Sequence, residues 1–96
     1  MTTELTWQGR EKDNPAHDML VAFFVLDIQH NAEWITELQE KTTALKTGQL
    51  SSWERIGNAY HLSFSAEKVI MEDEVDDSCY HVSLDEFQAA LNAYSL

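Results

Sequence analysis

One cysteine, one proline, three glycines and six Lys and Arg in 96 residues leave this chain short of several kinds of chemistry. A lone Cys79 excludes an intramolecular disulfide and fits a reducing compartment, with the cytoplasm as the expectation. Three glycines leave little room for a nucleotide cradle. No Gly-rich phosphate loop, Gly-x-Ser-x-Gly elbow or Cys-His-Asp constellation occurs. The expectation is therefore a non-enzymatic protein with no cofactor. The longest apolar run, Met19 to Leu26, ends at Asp27. It falls far short of the roughly 20 residues a helix needs to span a bilayer. Met1 to Arg10 lacks the basic stretch and long apolar segment of a secretory signal.

Positive charge is the scarcest commodity. Seventeen Asp and Glu against six Lys and Arg give a formal net charge of −11. From Val69 to Leu96 stand Glu72, Asp73, Glu74, Asp76, Asp77, Asp85 and Glu86 with no Lys or Arg among them. A field of that sign repels phosphate backbones and anionic head groups and attracts basic protein surfaces. Direct nucleic-acid binding and membrane association are thus disfavoured, and a basic protein surface is the expected partner.

What is present is enough to fold. With 44% apolar residues the chain is too hydrophobic for disorder. A chain of this length forms one domain, 1–96, burying roughly 60 to 65% of its unfolded surface. Thr3, Leu5 and Trp7 alternate with polar neighbours and predict a strand over 3–8, followed by a loop around the only proline in Glu11 to His17. Asp18 to Ile28, rich in Val, Phe and Ile, predicts a central strand covered on both faces, although periodicity alone does not exclude a buried helix. Asn31 as a cap, a stripe of Trp34, Ile35, Leu38, Thr42 and Leu45, and Gly48 as a stop predict a helix over 32–47.

A meander follows, with strands from Ser52 to Ile56, around Tyr60, Leu62 and Phe64, and from Lys68 to Glu74. Gly57-Asn58 is read as a two-residue turn chosen for its tolerance of positive φ. Ser83, Glu86, Val82 and Phe87 make a capping box with a hydrophobic staple, which predicts a last helix over 84–95 lined by Phe87, Ala90, Leu91 and Tyr94. The fold expected is α+β: a mostly antiparallel sheet of about five strands, two helices on one face, in the order β-β-α-β-β-β-α.

Leu38 to Leu62 carries Ser52, Trp53, Arg55, Gly57, Tyr60 and Leu62 in the spacing Ser-Trp-x-Arg-x-Gly-x-x-Tyr-x-Leu, after a helix and a Lys-x-Gly linker. With the terminal segment Ser83 to Tyr94, this resembles the YacL-like family of small, uncharacterised proteobacterial proteins. The resemblance implies a similar fold and a bacterial cytosolic origin, and no activity.

Candidate sites are few. Starting a calcium loop at Asp73 puts Val75 at the third position and no glycine at the sixth, so an EF-hand does not fit. Cys79 and His81 beside Asp76 and Asp77 are zinc-ligand types without the paired spacing of a structural site, so no metal is expected. A small metal-dependent enzyme built on them is the least favoured reading. His17, His30 and His61 have no carboxylate at a spacing that marks an acid-base pair. Trp53 and Arg55 are residue types enriched at binding hot spots, and equally suit a core tryptophan with a locally paired arginine. The expected docking residues are Glu72, Asp73, Glu74, Asp76, Asp77, Asp85 and Glu86, joined by Trp53 and Arg55. The rival reading is a homodimer that covers an exposed sheet edge or tryptophan face.

Overall fold

A computed structural model of the chain describes residues 5–95. It is an α+β fold: a four-stranded antiparallel meander with three α-helices. Helix α1 spans Pro15–Phe23 and runs into a π-helical turn, Phe24–Ile28; α2 spans Ala32–Lys46. Strands β1 (Ser52–Ile56), β2 (Tyr60–Ser65), β3 (Lys68–Asp73) and β4 (Cys79–Ser83) follow in spatial order, and α3 (Leu84–Tyr94) closes the chain.

Two expected strands do not form among the described residues. Thr3 and Glu4 lie outside the described residues, and Leu5 to Gln8 form no strand; Trp7 instead packs edge-on against His17, ring centroids 5.4 Å apart. Asp18 to Ile28 is helical. Asn14 caps α1 by accepting from the backbone N–H groups of Ala16 and His17, and Pro15 takes the first helical position, where its missing N–H costs nothing. Leu20, Phe23, Phe24, Asp27 and Ile28 are buried, the spacing of one helical face, while Val25 and Leu26 project outward. Those two exposed side chains are what made the segment look continuously apolar. The fourth strand is the Cys79–Ser83 segment, paired with β3 from Lys68↔Ser83 to Glu72↔Cys79.

Alternation then sorts the sheet. Tyr60, Leu62, Phe64, Val69, Met71 and Val82 are buried beneath the helices. Glu54, Ile56, His61, Ile70, Glu72, Cys79 and His81 fall on the opposite face, exposed or half-exposed. Helix α1 contacts β4, α3 lies on β3 and β4, and α2 packs against α3. Phe87 joins the layers, 5.0 Å edge-on from Phe64 and within 5.7 Å of Phe24. Ser83 Oγ accepts the Glu86 N–H at 3.0 Å, as the capping box requires, whereas the Glu86 carboxylate turns away to meet His17 Nε2 at 2.8 Å.

The end of α3 is locked to the π-turn. Tyr94 stacks on Phe24 and His30, its hydroxyl donating to the Phe24 carbonyl (2.9 Å) and accepting from the His30 N–H (2.6 Å). Burial raises the Tyr94 pKa, the His30 N–H opposing it in part. Tyr60 is raised too, first by burial and then by Asp73, Asp27 and Asp76. A phenol whose folded-state pKa exceeds the unfolded value of about 10 contributes stability that is complete below that pH and lost as pH rises through the folded value. Thermal midpoints should therefore fall above about pH 10, and tyrosinate absorbance from Tyr60 and Tyr94, assigned with Phe variants, should appear at higher pH than that of an exposed tyrosine. Ionisation of both at or below the pH of an exposed tyrosine in the folded chain would contradict this packing.

Candidate functional site

Strand register divides the molecule into two ends. One end holds the Gly57-Asn58-Ala59 turn, where Ile56 pairs with His61, and the turn from Glu74 to Ser78, whose flanking residues Glu72 and Cys79 pair. The Glu74 N–H donates to the Ala59 carbonyl at 2.9 Å and ties the two turns together. The π-turn joins them through Asp27, a buried carboxylate whose two oxygens accept the N–H groups of Ala59 (3.0 Å) and Tyr60 (3.1 Å). At the other end lie the Ser65 to Lys68 turn, the start of α3 and the N-terminal loop, which the Glu11 N–H pins to His17 Nδ1 at 2.8 Å.

The expected acidic surface splits along this division. Glu72, Glu74, Asp76 and Asp77 are exposed at the first end. Asp73 is half-buried and shapes the turn: its Oδ1 accepts from Val75 (2.8 Å) and Asp76 (3.3 Å). The Asp76 carboxylate accepts the Ser78 N–H at 2.8 Å, and bonds from the Ser78 side chain and amide hold its pKa below the ordinary value. Asp77 adopts φ 63°, the left-handed conformation that closes the turn. Asp85 and Glu86 sit beyond the far end of β4, about 15 Å away for a strand of this length. Both have local partners: Asp85 forms an ion pair with Lys46, and Glu86 bonds the buried ring of His17.

Trp53 and Arg55 both point to the helix-covered face and are half-buried. Trp53 lies 5.1 Å from Phe64 beneath the Lys41 ammonium. The Arg55 guanidinium is held between Phe23 (5.6 Å) and Trp34 (5.3 Å), with Nη1 buried and without a hydrogen-bond partner among the described residues. Cys79 and His81 are exposed on the opposite, open face. Among the described residues no three His, Cys, Asp or Glu side chains converge to hold a metal ion.

Residues that sequence reasoning passed over build this end. Asp27, where the apolar run ends in the sequence, anchors the sheet. The sequence predicts a positive φ at Gly57, yet its φ is not positive. Space is what it provides: an added Cβ would lie 2.3 Å from Asp27 Oδ2 and 2.7 Å from Arg55 Nη1. The signal available in sequence was the helical spacing of Leu20, Phe23, Phe24, Asp27 and Ile28, which places one acid on an otherwise apolar face.

No family model, curated protein or solved structure matches the chain.

Gly57→Ala should destabilise the fold by about 1 to 3 kcal/mol, the usual cost of overpacking, read as a shifted urea midpoint at unchanged slope. In an Asp27→Ser background the same substitution should cost less, because the obstructing carboxylate is gone. Equal costs in both backgrounds would show that Gly57 serves a conformational need and not a steric one.

Proposed function

We propose that the protein is a non-enzymatic acidic module that docks on the basic surface of a partner protein, in the manner of an inhibitor, antitoxin or immunity factor. The observation that carries this reading is the disposition of its six cations. Arg10 meets Asp18 at 3.6 Å, Lys46 meets Asp85, Lys41 lies over Trp53, and Arg55 lies between Phe23 and Trp34. Only Lys12 and Lys68 are exposed without such a contact among the described residues. The surplus of carboxylates, by contrast, is largely in solvent, and the negative field of a −11 chain is left with little to offset it. Kinship with the YacL-like family belongs to the same proposal, carried by Ser52 to Leu62, and adds no activity to it.

Exposed carboxylates of one sign act mainly on encounter. They accelerate association at low salt and are screened beyond about 8 Å at physiological ionic strength. Partners isolated from the native host should be basic and should elute on raising salt. Their association rate should fall by about tenfold or more between low and physiological salt. Glu74, Asp76 and Asp77 replaced by their amides should lower that rate without changing the fold. Recovery of only acidic or neutral partners, or binding indifferent to salt, would refute the reading.

A further inference from the structure

The geometry points to one end of the domain as a docking surface for an amphipathic cationic segment of the partner, one that presents large apolar side chains among its lysines and arginines. We infer this as a refinement of the charge-docking role and it rests on that role. The exposed large hydrophobic residues are Val25 (57%), Leu26 (50%), Trp34 (40%), Ile56 (73%), Val75 (87%) and Tyr80 (38%). Singly, such residues are ordinary on a protein surface. Here all six lie toward the end where the π-turn, the Gly57 turn and the Glu74 to Ser78 turn are hydrogen-bonded to one another, Ile56 on the open face of the sheet and Tyr80 on the helix-covered face of the other edge strand.

Val25 and Leu26 project from the π-turn, Trp34 from the first turns of α2 beside Arg55, and Ile56 from the end of edge strand β1. Val75 lies within the acidic turn, and Tyr80 on the adjoining edge strand β4. The backbone is also costly here. Gln29 (φ 52°) and His30 (φ 55°) are consecutive left-handed residues closing a π-turn, a geometry that concentrates at functional sites.

Charge complementarity selects the occupant. Glu33, Glu72, Glu74, Asp76 and Asp77 are exposed around these side chains. The sole Lys or Arg at this end is Arg55, held between two rings. Lys46 and Lys68 lie at the opposite end, as does Lys12 in the loop pinned to His17. A partner segment must therefore supply both apolar contact and positive charge, as amphipathic helices laid on acidic apolar surfaces do. A second copy of the chain meets the first requirement and violates the second, since each copy carries −11.

Two synthetic peptides of about four helical turns test this on the full chain: one of Leu and Lys at amphipathic spacing, and one of Lys and Ser with equal charge. The Leu/Lys peptide should bind by calorimetry and shift backbone amides in 25–30, 56–60 and 74–77, and the Lys/Ser peptide should bind at least about tenfold more weakly. Val25→Ser with Leu26→Ser should weaken the Leu/Lys peptide by about tenfold or more and leave the Lys/Ser peptide unchanged. Ile56→Ser, on a separate element, repeats the test should the first variant lose its thermal transition. Equal affinity for both peptides, or insensitivity to both variants, overturns the docking surface while charge docking stands. If neither peptide binds even at low salt, both readings fail. A wild-type dimer by sedimentation that Val25→Ser with Leu26→Ser dissociates would identify a second copy as the occupant and overturn the assignment.

Discussion

A single buried carboxylate joins the helical layer to the sheet. Asp27 accepts the backbone N–H groups of Ala59 and Tyr60 at the point where β2 begins, so the π-turn caps the hairpin as an N-cap residue caps a helix. A buried acid left without donors would carry a large desolvation cost, and two N–H groups turned toward an apolar side chain would carry their own. The pairing therefore constrains both partners: the π-turn has to reach the hairpin, and residue 57 has to be small enough to let it. Arg55, whose guanidinium approaches the same glycine, is positioned by Phe23 and Trp34, and so ties the end of α1, the start of α2 and β1 to that arrangement.

Around this junction the molecule is polarised. The far end is closed by charge pairs and a buried histidine: Glu86 on His17, Lys46 on Asp85, Arg10 on Asp18. The near end is held by main-chain hydrogen bonds and stacked rings, and leaves its acids and several large apolar side chains in water. Using the few cations for internal pairing at one end is what leaves the other with Arg55 as its one cation among the described residues. The one substantially exposed pair among them, Lys46 with Asp85, adds little stability, typically under about 1 kcal/mol. The larger consequence of these pairings is for the distribution of the field.

The histidines illustrate how tertiary contacts divide chemically similar residues. His17 is buried with both ring nitrogens engaged, Nδ1 accepting from the Glu11 N–H and Nε2 therefore presenting its hydrogen to Glu86. His30 stacks on Tyr94 with its backbone N–H on the phenol oxygen, and His61 lies 3.5 Å from Glu54 on the open face. Glu86 and Tyr94 lie more than sixty residues from their histidines, and Glu54 faces His61 across the β1–β2 hairpin, so none of these pairs falls at a spacing that marks it in the sequence.

Local chemistry was legible wherever a segment's own residues decide its conformation. Ser83 and Asn31 as caps, the 3.6-residue stripes of α2 and α3, and the alternation of Tyr60, Leu62 and Phe64 each identify an element because the signal and the structure span the same few residues. The α+β class and the antiparallel meander follow from them. Asp18 to Ile28 is helical where the sequence predicts a strand, because Val25 and Leu26 remain exposed and an apolar residue left in water carries no periodic mark in the sequence. Composition determined that the surface would be acidic. Only tertiary structure decided where that acidity is unopposed, which carboxylates are consumed by His17 and Lys46, and that Gly57 is required for space. Those outcomes depend on residues tens of positions apart meeting across a packed core, and distance in space is not encoded in distance along the chain.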